Sequence, residues 1–113
     1  MIYNETSVNG YIALKTGAVL YRQGKFRLIV LNACSIDSNS VICTVPLASD
    51  YPGVSNIFGT LIIGVAGVYY HPGYSLFGGS GAIQARYINS LGTTSPPSVT
   101  SGTAYGNICW YTS

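Results

Sequence analysis

A chain of 113 residues is the size of one domain and is long enough to bury a core of its own. Charged residues make up only 7 % of it against 48 % apolar, and five basic residues against three acidic ones leave a net charge of +2, too few cations for a groove that tracks nucleic-acid phosphates. So little charge on so small a domain predicts that other copies cover part of its surface, and we expect an obligate oligomer.

Residues 1–17 form an N-terminal segment expected to join a shaft or to pack as a first strand. It opens on "IYNETSVNG", which has neither the basic start nor the apolar run of a secretory leader, and "YIALK" at 11–15 reads as a strand. Residues 18–113 read as one head domain. Short runs of Val, Ile, Tyr, Phe and Thr alternate with Gly, Ser, Asn, Asp and Pro, and helical spacing is almost absent, so the chain is all-β. Strands are predicted at 18–23, 25–33, 40–46, 57–70, 81–89 and 105–112. "RQGK" at 22–25 is a tight hairpin turn with Gly24 at positive φ. "IDSNS" at 36–40 is a polar hairpin loop. Residues 47–56 and 91–103 are longer surface loops, the second holding Pro96 and Pro97, which cannot serve in a ladder.

Two stretches speak to burial. In "KFRLIVLNA", Phe26, Leu28 and Val30 share one face, while Ile29 and Leu31 share the other with Arg27, which signals water or an ion pair there. The run "IFGTLIIGVAGVYY" at 57–70 holds no charge, but its 14 residues fall short of the ~20 a spanning helix needs, and Gly59, Gly64 and Gly67 disfavour a helix. Membrane insertion is not expected. Because Leu61, Ile62 and Ile63 are consecutive, both faces of this strand should be dry, one against the core and the other against a neighbouring subunit.

Reactive chemistry is sparse. Cys34, Cys43 and Cys109 are an odd count without metal-ligand spacing and read as buried, reduced thiols. Glu5, Asp37, Asp50 and His71 are the acid–base candidates, but the three carboxylates lie in separate loops or at the terminus, whereas a glycosidase needs two facing one bond. "GGSGA" at 78–82 departs from the nucleophile elbow at Ala82. We expect no enzyme activity, no metal and no cofactor.

The ordered pieces "YRQGKFRLIV", "CTVPLASDYPG", "IFGTLIIGV", "GGSGAIQARYINS" and "TAYGNICWYTS", which span 18–113, resemble the C-terminal head domain of bacteriophage tail-fibre and receptor-binding proteins. The loop "VPLASDYPG" departs from that family's pattern by an insertion and by lacking its Arg, so no role of that Arg carries over. The resemblance implies an antiparallel β-sandwich, a jelly-roll-like knob, assembled as a homotrimer at the virion tail tip among other phage tail proteins. It implies host recognition by binding a cell-surface saccharide without cleaving it. The alternative is a structural trimerisation or docking head with no ligand of its own.

Sugar recognition asks for aromatic rings against C–H faces and planar polar groups on hydroxyls, held on rigid loops. Ten tyrosines with many Asn and Ser give this chain a composition like that of adaptable paratopes. The candidates are Tyr70, His71 and Tyr74 in "YYHPGYSLF", Asp50 and Tyr51 in "SDYPG", Arg86 in "ARYIN" and Tyr105 at the start of the last strand. Each has a plainer reading. The tyrosines could pack at a trimer seam, Asp50 could close an Asx-type turn, and Arg86 could pair with Asp37 or Asp50. Trp110, in phase with Ile108, reads as a core or interface residue.

Overall fold

A computed structural model describes residues 9–36, 41–54, 56–57, 59–65, 67–70, 74–88, 94–95 and 102–112; within these, the side chains of residues 56, 65, 68, 70, 74–76, 85–88 and 94–95 are not described. The strands are β1 (Gly10–Lys15), β2 (Ala18–Gln23), β3 (Phe26–Ile36), β4 (Val41–Thr44), β5 (Asn56–Ile57), β6 (Leu61–Val65), β7 (Val68–Tyr70), β8 (Tyr74–Phe77), β9 (Ala82–Ile88), β10 (Thr94–Ser95) and β11 (Gly102–Tyr111), with one 3-10 turn at Ala48–Asp50. All strand pairs are antiparallel. One sheet runs β1-β2-β3-β11-β6-β7; the other runs β10-β9-β8-β5, with β4 also paired to β9. The protein is all-β, as its composition predicts.

The first sheet is built on alternation. Along β2 and β3, Ala18, Leu20, Arg27, Ile29 and Leu31 are buried, while Tyr21 and Val30 point outward. The same phase continues on β11, where Ala104, Ile108 and Trp110 are buried, and on β6 with Leu61 and Ile63. These meet Ile42, Cys43 and Val45 of the β4 region, Ile57 of β5, Phe77 of β8 and Ile83 of β9, so one core lies between the two sheets. The β2–β3 turn falls at the predicted place, with Gly24 at φ 59 in the first central position of a two-residue loop, where a primed turn needs it. In β3 an extra residue is accommodated opposite Ala104–Gly106, and Ala33 takes φ 56 there.

Residues 57–70 do not form one strand. Ile57 pairs with β8 in the second sheet, Leu61–Val65 lies in the first, and the chain turns at Gly67 (φ 83) into β7. At Gly59, between the two strands, the backbone lies against Asn107 and Ile108 of β11 and leaves no room for a side chain. The consecutive apolar residues resolve into ordinary alternation, with Leu61 and Ile63 inward and Ile62 half-buried on the outer face. The loop after β3 is not a hairpin either: β3 pairs with β2 and β11, and β4 pairs with β9, so the chain crosses between sheets there. Residues 37–40 themselves lie outside the described residues. β10 falls within the stretch 91–103 that reads as a loop, β8 falls in a stretch given no predicted strand, and β1 is an edge strand of the first sheet.

Cys34 and Cys43 are buried and Cys109 is half-buried. Burial raises the Cys34 thiol pKa, partly offset by Lys15, and burial together with Cys34 pushes Cys43 up to about 12. Iodoacetamide on the folded protein at neutral pH should therefore modify Cys109 first, with Cys34 and Cys43 reacting only in denaturant. Peptide mass mapping checks this, and prompt labelling of Cys43 in the native state would contradict the buried placement.

Candidate functional site

Arg22 and Arg27 are both in phase with the buried residues of their strands and sit opposite each other across β2 and β3. Two guanidiniums facing a core need a counter-charge, and the 3-10 turn supplies it. Asp50 is 1 % exposed and accepts from Arg22 Nε at 2.9 Å and Nη2 at 2.6 Å, and from Arg27 Nε at 2.6 Å. Arg27, 0 % exposed, also donates from Nη1 to the carbonyls of Gly24 and Phe26. The Trp110 indole donates to the Asp50 carbonyl at 2.7 Å. Burial pushes the Asp50 carboxyl pKa up, but hydrogen bonds from the two arginines outweigh it and hold the pKa below the ordinary carboxylate value. The same contact with Asp50 raises Arg22.

This cluster pins the 47–52 loop to the first sheet. Thr112 adds a second tie, donating its backbone N–H to the Lys25 carbonyl and bridging to Pro52. It also corrects one expectation. Asp50 is not a loop acceptor open to a ligand, because both carboxylate oxygens are taken and the residue is buried. Nor does it close an Asx turn. Tyr51 is likewise no free platform: its ring meets the Phe77 ring edge-on at 4.9 Å and its hydroxyl lies over Gly81.

The remaining candidates are dispersed. Tyr105 is exposed on the outer face of β11, opposite Ile62. Tyr70 belongs to β7, in register with Ile63. Tyr74 of β8 and Arg86 of β9 are register partners in the second sheet, and their side chains are not described. His71 and Asp37 lie outside the described residues. Trp110 is a core residue, 5 % exposed.

What the structure does gather is the outer face of the first sheet. Tyr11 and Tyr21 are opposite each other on β1 and β2, with ring centroids 5.8 Å apart and tilted by 40°. Phe26 and Tyr111 pair at 5.4 Å across β3 and β11. Val30, Ile62 and Tyr105 lie further across, and the Tyr69 ring covers Gly64. Among the described residues, the outward positions of these strands hold no charged side chain; Lys15 turns instead to the carbonyls of Ser35 and Ile42. At the β1–β2–β3 end the face opens into a groove of about 450 Å³ lined by Asn9, Gly10, Tyr11, Tyr21, Arg22, Gln23, Phe26 and Leu28.

Sequence reasoning missed this groove because it looked for sugar-binding rings in loops. The usable signal was the phase of "AVLYRQ": Ala18, Leu20 and Arg22 on one face leave Val19, Tyr21 and Gln23 on the other. Comparison of the chain with protein-family models, curated proteins and solved structures returns no match.

Proposed function

We propose that this chain is the host-recognition head of a phage tail fibre, a jelly-roll-like knob that assembles as a homotrimer at the virion tail tip, among other tail proteins, and binds a bacterial cell-surface saccharide without cleaving it. The observation that carries the reading is the uncharged, tyrosine-bearing outer face of the first sheet. A charge-free aromatic and aliphatic surface suits protein–protein burial, and the exposed rings beside planar amides at one end suit a sugar. The path of the chain agrees with a jelly-roll-like knob, since it passes from the first sheet to the second after β3, returns at β6, leaves again after β7 and returns at β11.

The experiment has two arms. Light scattering after size exclusion at low micromolar concentration should give three times the 11.9 kDa of one chain. Binding to extracted host surface polysaccharide should then be saturable, without release of new reducing ends. A monomer would remove the assembly half of the reading, and fragment release would make the head an enzyme. The second reading, a structural trimerisation or docking head without a ligand, is favoured by Leu28, Val30 and Ile62, which give the middle of the face an aliphatic character that stacks no sugar. It predicts a trimer that binds no glycan.

A further inference from the structure

The sugar reading can be made specific in its chemistry. We propose that the groove between β1, β2 and β3 is the saccharide site and that it takes a neutral sugar, an uncharged pyranose laid against the rings of Tyr11 and Tyr21. This rests on the reading that the head binds a saccharide at all.

The groove's volume of about 450 Å³ lies within the range of small-ligand sites. Tyr11 is 73 % exposed and Tyr21 44 %, and both rings, tilted by 40° to each other, belong to residues that line the groove. Phe26 and Leu28 close the apolar wall, and Phe26 is propped from behind by Tyr111. Amides sit at the rim. Gln23 is exposed, and Asn9 uses its Oδ1 to accept from the Gly24 N–H at 3.0 Å, which leaves its NH₂ as a donor. Rings for C–H faces and amides for hydroxyls are the parts a neutral sugar needs.

The charge balance disfavours the obvious alternative. A carboxylate- or phosphate-bearing sugar needs a cation in the site. The one charged residue of the lining is Arg22, whose Nε and Nη2 are committed to Asp50. Strand alternation also puts the Arg22 guanidinium on the opposite face of β2 from Tyr21 and Gln23. An anion in the groove would compete with the buried Asp50 carboxylate for the charge of Arg22.

The test uses the full chain and a printed panel of neutral and acidic bacterial oligosaccharides, with the strongest binders titrated by calorimetry. Neutral glycans should bind, with affinity nearly unchanged between about 0.05 and 0.5 M NaCl. Tyr21→Ala and Tyr11→Ala should each weaken that binding about ten-fold, while Tyr21→Phe, which keeps the ring, should stay close to wild type. Native Trp110 fluorescence verifies that the variants are folded. Binding confined to acidic glycans and lost in salt would overturn the neutral-sugar inference and leave the saccharide reading standing. Neutral binding unaffected by the Tyr11→Ala/Tyr21→Ala double variant would overturn the location. Binding to no glycan in the panel or in host surface extract would overturn both the inference and the reading beneath it.

Discussion

Asp50→Ala should destabilise the fold by about 3–5 kcal/mol, the cost of removing one partner from a buried ion pair. The effect is large because the carboxylate serves two guanidiniums. Arg27 is wholly buried, and Asp50→Ala removes the carboxylate that its Nε meets at 2.6 Å. Arg22→Ala should cost less, because the Asp50–Arg27 contact survives it and the Arg22 side chain is 15 % exposed and can be replaced there by water. Urea unfolding followed by the fluorescence of Trp110, the chain's single tryptophan, reads both variants beside the cluster. Equal losses for the two would show that the triad is not the lock described here. The pH dependence follows with a definite sign. The folded Asp50 pKa lies below its ordinary 3.8, so its stabilisation is present in full above that value and is lost as pH falls through the depressed folded value. Wild type should lose this stability only in strong acid, and Asp50→Asn should lack that component of the acid transition.

Gly106→Ala should cost about 4 kcal/mol or more, enough to leave little folded protein if the total lies at the low end of the usual range. Gly106 has φ 118, and a Cβ there would sit 1.9 Å from the Thr60 carbonyl oxygen. That oxygen accepts the Asn107 N–H at 2.7 Å, so moving it away breaks a backbone bond. Gly24→Ala is the control. Its φ is also positive, but nothing lies within 4 Å of the added carbon, so only the left-handed penalty of about 1–2 kcal/mol applies. Thermal melts of the two variants separate steric from conformational cost. Similar losses would mean that the Gly59–Thr60 segment does not lie against β11.

The sequence carried the faces of individual strands better than their partners. The alternation of Phe26 to Leu31 and the phase of Ile108 with Trp110 are local, and both hold in the structure. Arg27 in phase with Ile29 and Leu31 signalled water or an ion pair, and nothing local says which, or that Asp50, a short polar loop away from any periodic pattern, is the partner. The break-up of residues 57–70 was hidden for the same reason. Gly59 lies against Asn107, forty-eight positions further along, and single-strand periodicity is blind to such a contact. The groove was legible in part, since the outward phase of Tyr11 and Tyr21 can be read from β1 and β2. Their meeting across the sheet required the register Tyr11↔Tyr21. The tyrosines singled out instead were chosen for their loop positions and ring chemistry, and β7 and β8 place Tyr70 and Tyr74 in different sheets.

The order of the first sheet has a consequence for how the protein is made. β11, the last of the described strands, lies in the middle of the sheet between β3 and β6. During synthesis the β1–β2–β3 meander can form early from neighbouring hairpins, but it then presents the bare edge of β3, and β6 presents another. Neither edge is closed until the Gly102–Tyr111 segment emerges and inserts between them, pairing Trp110 with Arg27 and Ala104 with both Cys34 and Ile63. Such late, non-local pairing is slow and leaves unpaired edges open to strands of other nascent chains. On a polysome, where identical chains emerge side by side, this interval is when exchange of the last strand between copies competes with correct closure.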